Sequence, residues 1–257
     1  VGRMSLLVAM AVAVTKASLV VLYFMHLRWD RPFHAVVFIG TLLFVGPTGV
    51  GKTHLAQLLA EYLFGSRERL VRFNMADYQQ EHDALVLFGN PDAYMANQQR
   101  GQLHMRLWGH PFAVVLLDEF EKAHRVVHDR FLQLIDEGAF INGLGESVPC
   151  RSVILIATSN TGAEVYRRHS LGFSAPAGLD ELDRELDRRL IAQFRFEFLN
   201  RFDHIVHFHP LSREHIRTIA LRELEGLRDR VGLKNRDFHL AVDDAVLDWL
   251  AVHGYDP

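Results

Sequence analysis

The sequence predicts an α/β fold built on a parallel sheet that carries a phosphate-binding loop. Three stretches predict it. "TLLFVGPTGVGKT" runs from an apolar strand into a glycine-rich loop. "AVVLLDEFEKAH" and "SVILIATSN" are apolar runs that each end in polar residues. Runs of this kind fit strands covered on both faces, as parallel sheets require.

The first stretch is the most specific. Gly46, Pro47, Thr48, Gly49, Val50, Gly51, Lys52 and Thr53 match the pattern G-x-x-x-x-G-K-[ST]. Glycines let successive backbone N–H groups turn toward phosphate oxygens. Lys52 is expected to reach the β and γ phosphates and the Thr53 hydroxyl to hold Mg²⁺. "KTHLAQLLAEYLF" follows, with Leu55, Leu58, Leu59, Tyr62 and Leu63 at helical spacing and Gly65 as a helix stop. The loop is therefore expected between a strand and a helix N-terminus, where the helix dipole favours anions.

The second stretch ends in Asp118 and Glu119. Asp118 is expected to assist Mg²⁺, directly or through water, and Glu119 to polarise the attacking water as a general base. The third ends at Asn160. Ligands of open α/β sheets bind at the carboxyl ends of strands, which places Asn160 to orient that water or touch the γ-phosphate. A helix is expected after Leu211, with Ser212 as its N-cap and Ile216, Ile219 and Leu227 on one face. "LDELDRELDRRL" reads as a solvated helix face with i,i+4 charge pairs.

Composition narrows the function. The 257 residues are 49% apolar, with a net charge of −3, which argues against a general nucleic-acid binder. The single cysteine, Cys150, excludes an intrachain disulfide. His124 and His128 stand four apart, where one helix face could hold a metal, but Arg125 occupies the position a zinc-protease motif gives to Glu. Residues 1–40 carry +3, leaving −6 for the rest. Met4 to Met25 hold one charge, Lys16, and about 20 apolar residues suffice to span a bilayer. A membrane helix is expected there, with the basic flank "HLRWDRPFH" and the ATPase part on the cytoplasmic side.

From Leu42 to Pro257 the chain resembles a Clp-type AAA+ unfoldase, in particular the second ATPase ring of the ClpB/ClpC group. The motifs that carry the resemblance are "LLFVGPTGVGKT", "VVLLDEFEKAH", "ATSN", "FRFEFLNRFDHIV" and "VLDWLAVHGYDP". It implies a three-layer αβα AAA+ domain over residues 35–210 and a partial helical lid over 211–257, preceded by the membrane-like segment 1–34. By the same resemblance Asn160 is sensor 1. Arg201 matches the arginine finger, which acts on a neighbouring subunit's ATP; a local ion pair with Asp203 is the alternative, and Arg195 the backup candidate. Tyr94, followed by Met95, falls at the substrate-gripping position, either exposed or folded back onto the domain. Leu171, Gly172 and Phe173 fit the tripeptide by which relatives dock on a peptidase ring, or Phe173 tucks under the next helix. ATP, Mg²⁺, unfolded polypeptide and a homohexamer are the implied partners. The hairpin "DEGAFINGLGESVPCRS" departs from the family: Ala139, Asn142, Glu146 and Pro149 stand where Arg, Asp, Arg and Asp are common. Phe196 stands where Pro is usual, and the sequence stops before the position of the family's sensor-2 arginine.

Residues 4–45 resemble subunit IV of bacterial cytochrome c oxidase, most distinctly through "LYFMHLRWDRP". "LLFV" fits both families, and the chain is expected to switch from one to the other there, as in a recombined or misassembled gene. The expectation is an ATP-hydrolysing module that threads and unfolds polypeptides. The alternatives are a membrane-anchored oxidase accessory fragment and a nucleotide-binding remnant without turnover.

Overall fold

The computed structural model describes residues 40–110, 112–162, 164, 166, 179–228 and 242–254, with no side-chain description for residues 179–181 and 228. The expected membrane helix over residues 4–25 and the tripeptide Leu171, Gly172 and Phe173 lie outside them. Among the described residues no helix is long and apolar enough to cross a membrane.

The elements follow in chain order as β1 (Thr41–Val45), α1 (Lys52–Phe64), β2 (Leu70–Asn74), α2 (Asp83–Phe88), α3 (Ala96–Leu107), β3 (Ala113–Asp118), α4 (Arg125–Glu137), β4 (Ala139–Ile141), β5 (Ser147–Pro149), β6 (Val153–Ser159), α5 (Leu179–Gln193), α6 (Phe196–Leu199), β7 (His204–His207), α7 (Arg213–Arg228) and α8 (Asp244–His253). The main sheet has strand order β2-β3-β6-β1-β7, and β4 pairs with β5 in a separate hairpin. The chain divides into two units. One holds residues up to 42, 53–157 and 200–204; the other holds 43–52, 158–199 and 205 onward.

In the first unit β2, β3 and β6 run parallel, with Arg72 beside Leu116 and Val115 beside Leu155. Val114, Val115, Leu116 and Leu117 are buried, as the unbroken apolar run requires. Helix α4 buries Val127, Phe131 and Leu134 at i, i+4 and i+7, then stops at Gly138, whose φ of 69° forms a left-handed cap. Phe88 packs edge-on against Phe131 and Phe140, at 5.1 and 5.4 Å between ring centres. Burying three such rings removes a large apolar area from water, the main favourable term in folding.

Helix α1 follows the phosphate loop and ends before Gly65, as expected, but its leucine stripe is not its buried face. Leu58 and Tyr62 are 40% and 87% exposed, whereas Ala56 and Ala60 are fully buried. Alanine allows close backbone approach, and it adds nothing to an apolar stripe read from large residues.

In the second unit the end of β1 lies between β6 and β7. Gly46 N–H donates to Ser159 O at 3.2 Å, and Phe208 N–H to Val45 O at 2.7 Å. Helix α5 buries Leu182, Leu186 and Leu190. Its outer face carries the expected i,i+4 pair Glu185–Arg189 at 3.5 Å, but Asp183 and Asp187 turn to His207, at 3.6 and 3.1 Å. Ser212 caps α7 through Oγ, which accepts from the His215 N–H at 3.2 Å. Ile216, Ala220, Leu224 and Leu227 form the half-buried face of α7; Ile219, expected on that face, is 43% exposed. Arg217 of α7 reaches both Asp244 and Asp248 of α8, at 2.6 and 3.2 Å.

Candidate nucleotide-binding site

The phosphate loop lies in the second unit, between β1 and α1. Gly46, Gly49 and Gly51 have φ of 156°, 81° and 97°, backbone that L side chains rarely adopt. At Gly46 a Cβ would also collide with the Phe208 carbonyl oxygen. Lys52 is only 7% exposed. Its ammonium donates to Gly46 O at 2.6 Å, Pro47 O at 2.7 Å and Asn160 Oδ1 at 2.8 Å. A buried cation needs such partners, because taking it from water without them is prohibitive. The loop, its lysine and the residue directly after β6 thus form one hydrogen-bonded group. Behind it, Ser159 Oγ contacts Thr161 Oγ1 at 2.6 Å, and Thr161 donates to Gln193 at 2.6 Å.

The acidic pair lies in the first unit, at the end of β3. Glu119 has φ 56° and ψ 49°, the left-handed region in a non-glycine residue, and its carboxylate holds Lys122 at 2.7 Å. Backbone of this kind costs of order 1 kcal/mol or more and concentrates at functional sites. Asp118 accepts two hydrogen bonds from Arg72, from Nε at 3.0 Å and from Nη2, both on Oδ2. Arg72 has no place in the sequence reading. Its sequence signal is a single charge in the strand "LVRFN", which names no partner. Thr53, the second residue of α1, is half-buried.

Arg201 does not pair with Asp203. Its Nε lies 3.1 Å from Asp136 Oδ1, while Asp203 Oδ2 accepts from both the backbone N–H and hydroxyl of Thr41, at 2.8 and 2.9 Å. Asp203 is therefore committed to the start of β1, and Arg201 is steadied by the end of α4. Arg195, the backup candidate, is exposed.

Tyr94 and Met95 stand in the turn between α2 and α3, and both are exposed, Tyr94 completely. The folded-back alternative therefore does not hold. The turn is fixed from behind: Asn90 N–H donates to Gln98 O at 3.0 Å and the Gln99 amide to Ala93 O at 2.8 Å. Helix α3 breaks at Gly101, φ 79°, where a Cβ would strike the backbone of Phe88 and Gly89. The β4–β5 hairpin docks on the same helix. Gly143 N–H donates to Gln99 O at 2.8 Å, and buried Asn142 places its amide 2.9 Å from His104 Nδ1. Asn142 Oδ1 also accepts from the N–H groups of Leu144 and Glu146, at 3.0 and 2.9 Å. The asparagine that departs from the family pattern is thus the hub of this hairpin.

His124 and His128 do not share a helix face toward a metal. His124 is the N-cap of α4, its Nδ1 accepting from Val126 N–H at 3.3 Å. His128 Nε2 meets Phe120 O at 2.8 Å, with its ring stacked on Phe120. Among the described residues no group of three or more His, Cys, Asp or Glu gathers for a metal ion.

A parallel sheet whose first strand runs into a glycine loop closed on a buried lysine defines a P-loop nucleotide-binding protein of the α/β class. Comparison with known families narrows the class. Residues 38–205 match the AAA domain (Cdc48 subfamily), and the chain belongs to that family. Residues 211–257 match the C-terminal D2-small domain of ClpB protein, and residues 1–48 match prokaryotic cytochrome c oxidase subunit IV. Over 222 residues, 85% of its length, the chain is 40% identical to half of a probable chaperone protein ClpB 1 of Chlorobaculum tepidum. It is 40% identical over 219 residues to chaperone protein ClpB of Vibrio cholerae, covering 25% of that protein. Meiothermus ruber ClpB is similar at 41% over 219 residues, again with 25% covered. The chain therefore spans between a quarter and a half of these relatives. Among solved structures it is similar to Hsp104, in a closed-state reconstruction with ATPγS and FITC casein. That match has a TM-score of 0.74 at 31% identity, covering 85% of this chain and 37% of that one.

Proposed function

We propose that the chain is an ATP-hydrolysing module that remodels or unfolds polypeptides, and that it works in a homohexameric ring. The observation that carries this reading is the closure of the Gly46–Thr53 loop on Lys52 and Asn160, the lysine and the sensor of one phosphate site. The ClpB relatives and the Hsp104 structure, with its bound ATPγS and casein, support the choice of nucleotide and substrate.

The residues fit ATP and Mg²⁺. Three loop glycines have positive φ, and open space surrounds the position a Cβ would take at Gly51. The Thr53 hydroxyl and the Asp118 carboxylate are the hard oxygen donors Mg²⁺ takes. When bound, the ion would neutralise charge on the phosphates. Gly46 to Thr53 would hold the phosphates, with Lys52 exchanging its loop carbonyls for phosphate oxygens. Glu119 would accept the proton of the attacking water and Asn160 would orient it. Arg201 would stabilise the transferring phosphoryl group on a neighbouring subunit, with Arg195 as the alternative. Tyr94, with Met95 beside it, would grip the threaded chain from its exposed turn.

The finer assignments continue the same reading. Residues 35–210 would form the large domain and 211–257 the partial lid. Leu171, Gly172 and Phe173 would dock a peptidase ring, and the ATPase part would work in the cytoplasm. A membrane anchor through residues 4–25 rests on their apolar composition and on the match of residues 1–48. The oxidase-accessory alternative is not favoured, because the ClpB similarity covers 85% of the chain. The test is binding of a fluorescent ATP analogue by the full chain and by Lys52→Ala. Saturable binding lost in the variant is expected; equal binding by both would remove the loop from the reading.

A further inference from the structure

We propose that Arg72 is a positioning residue for Asp118, and through it for the Mg²⁺ of the nucleotide. The inference rests on the metal role proposed above for Asp118. Arg72 projects from β2, where its neighbour in register is Leu116, and reaches two residues along β3 to Asp118. Two guanidinium N–H groups, from Nε and Nη2, converge on the single oxygen Oδ2. Two donors from a rigid planar group hold that one oxygen in place and leave Oδ1 outside this contact. The Asp118 side chain is only 13% exposed, so few water molecules compete for the role.

The backbone of β2 that carries Arg72 is itself braced. Arg106 of α3 donates from Nη1 to the Arg72 carbonyl at 2.6 Å, and its guanidinium lies 4.6 Å from the Phe73 ring centre. Helix α3 begins directly after Tyr94 and Met95. The helix after the segment that would grip substrate thus meets, past its break at Gly101, the strand that carries Arg72. A group that orients a metal-serving carboxylate typically changes metal affinity 10–100-fold when removed. The guanidinium charge alone would act the other way, since it repels Mg²⁺. Orientation and simple electrostatics thus predict opposite signs for its removal.

The experiment is a Mn²⁺ titration of the full chain with ADP, read by loss of the free-ion paramagnetic resonance signal, for the wild type, Arg72→Met and Arg72→Lys. ADP binding in EDTA and thermal unfolding are recorded beside it. The expected result is about tenfold weaker Mn²⁺ binding in Arg72→Met, an intermediate value in Arg72→Lys, and unchanged ADP binding in EDTA. Mn²⁺ binding that is unchanged or tighter in Arg72→Met, while Asp118→Asn weakens it, would overturn the role of Arg72. If Asp118→Asn leaves Mn²⁺ binding intact, the metal role of Asp118 fails instead.

Discussion

The Lys52 ammonium lies 2.8 Å from the Asn160 amide oxygen, although the two residues stand 108 positions apart. That contact joins the phosphate loop to the end of β6. Removing the side chain in Asn160→Ala deletes the amide group proposed to orient the water. Turnover of ATP is expected to fall about 100-fold, the usual loss for one positioned polar group in a water-excluded site. Nucleotide affinity should change much less, since Lys52 and the loop N–H groups proposed to hold the phosphates are untouched. Steady-state kinetics beside an equilibrium binding curve check both parts.

Tyr94 is fully exposed in a turn anchored by Asn90, Ala93, Gln98 and Gln99. Tyr94→Ala should leave folding and basal turnover near the wild type. It should lose stimulation by an unfolded protein such as casein by roughly tenfold, the equivalent of about 1.4 kcal/mol in the barrier. Tyr94→Phe should retain most of it, because the aromatic face is kept. Turnover measured with and without casein decides the point.

Stability should fall in mild acid. Burial pushes His104 below its ordinary value near 6.5, against the opposing pull of Glu146 and with a smaller push from Arg100. Burial also lowers His128, opposed by the Phe120 carbonyl and Asp129, with His124 adding to the lowering. For both, the unfolded chain takes up a proton first as pH drops through 6.5. Stability is therefore full above 6.5 and declines below it, until each folded value is reached. The thermal midpoint should drop between pH 7.5 and 5.5, by roughly 2–4 °C for each kcal/mol lost. His104→Gln should flatten part of that slope.

Arg201 is held by Asp136 at 3.1 Å and lies 44% exposed, so it can exchange this partner at modest cost. If it serves a neighbouring subunit, Arg201→Ala should lower turnover roughly 10³-fold or more while leaving nucleotide binding intact. Mixing Arg201→Ala with Lys52→Ala should restore part of the activity, because mixed rings contain interfaces with one intact site. Absence of any restoration would place the arginine's action within its own subunit.

The buried strands and the phosphate loop were legible because their signals are local: an apolar run, then glycines and a lysine at fixed spacing. Ser212 and Gly65 were legible for the same reason, as caps written in one residue. The rest depends on partners distant in the chain. Arg72 meets Asp118 across 46 positions, and nothing in "LVRFN" names its acid. Arg201 was weighed against Asp203, its neighbour in sequence, yet Asp203 is taken by Thr41. The stripe on α1 misled because large leucines draw the eye, while the buried face uses Ala56 and Ala60. Asn142 reads as a lost charge in the sequence, whereas its side chain makes three hydrogen bonds within the β4–β5 turn and one to His104 on α3.

ATP turnover by the full chain over a protein concentration series, beside Glu119→Gln, tests the central claim most directly. Glu119 holds a strained left-handed backbone at the end of β3, and its carboxylate is the proposed acceptor of the water proton. The account predicts turnover that rises per subunit with concentration, as sites between subunits form, and that disappears in Glu119→Gln with nucleotide still bound. Zero turnover by the wild type at every concentration, with nucleotide bound, would contradict it.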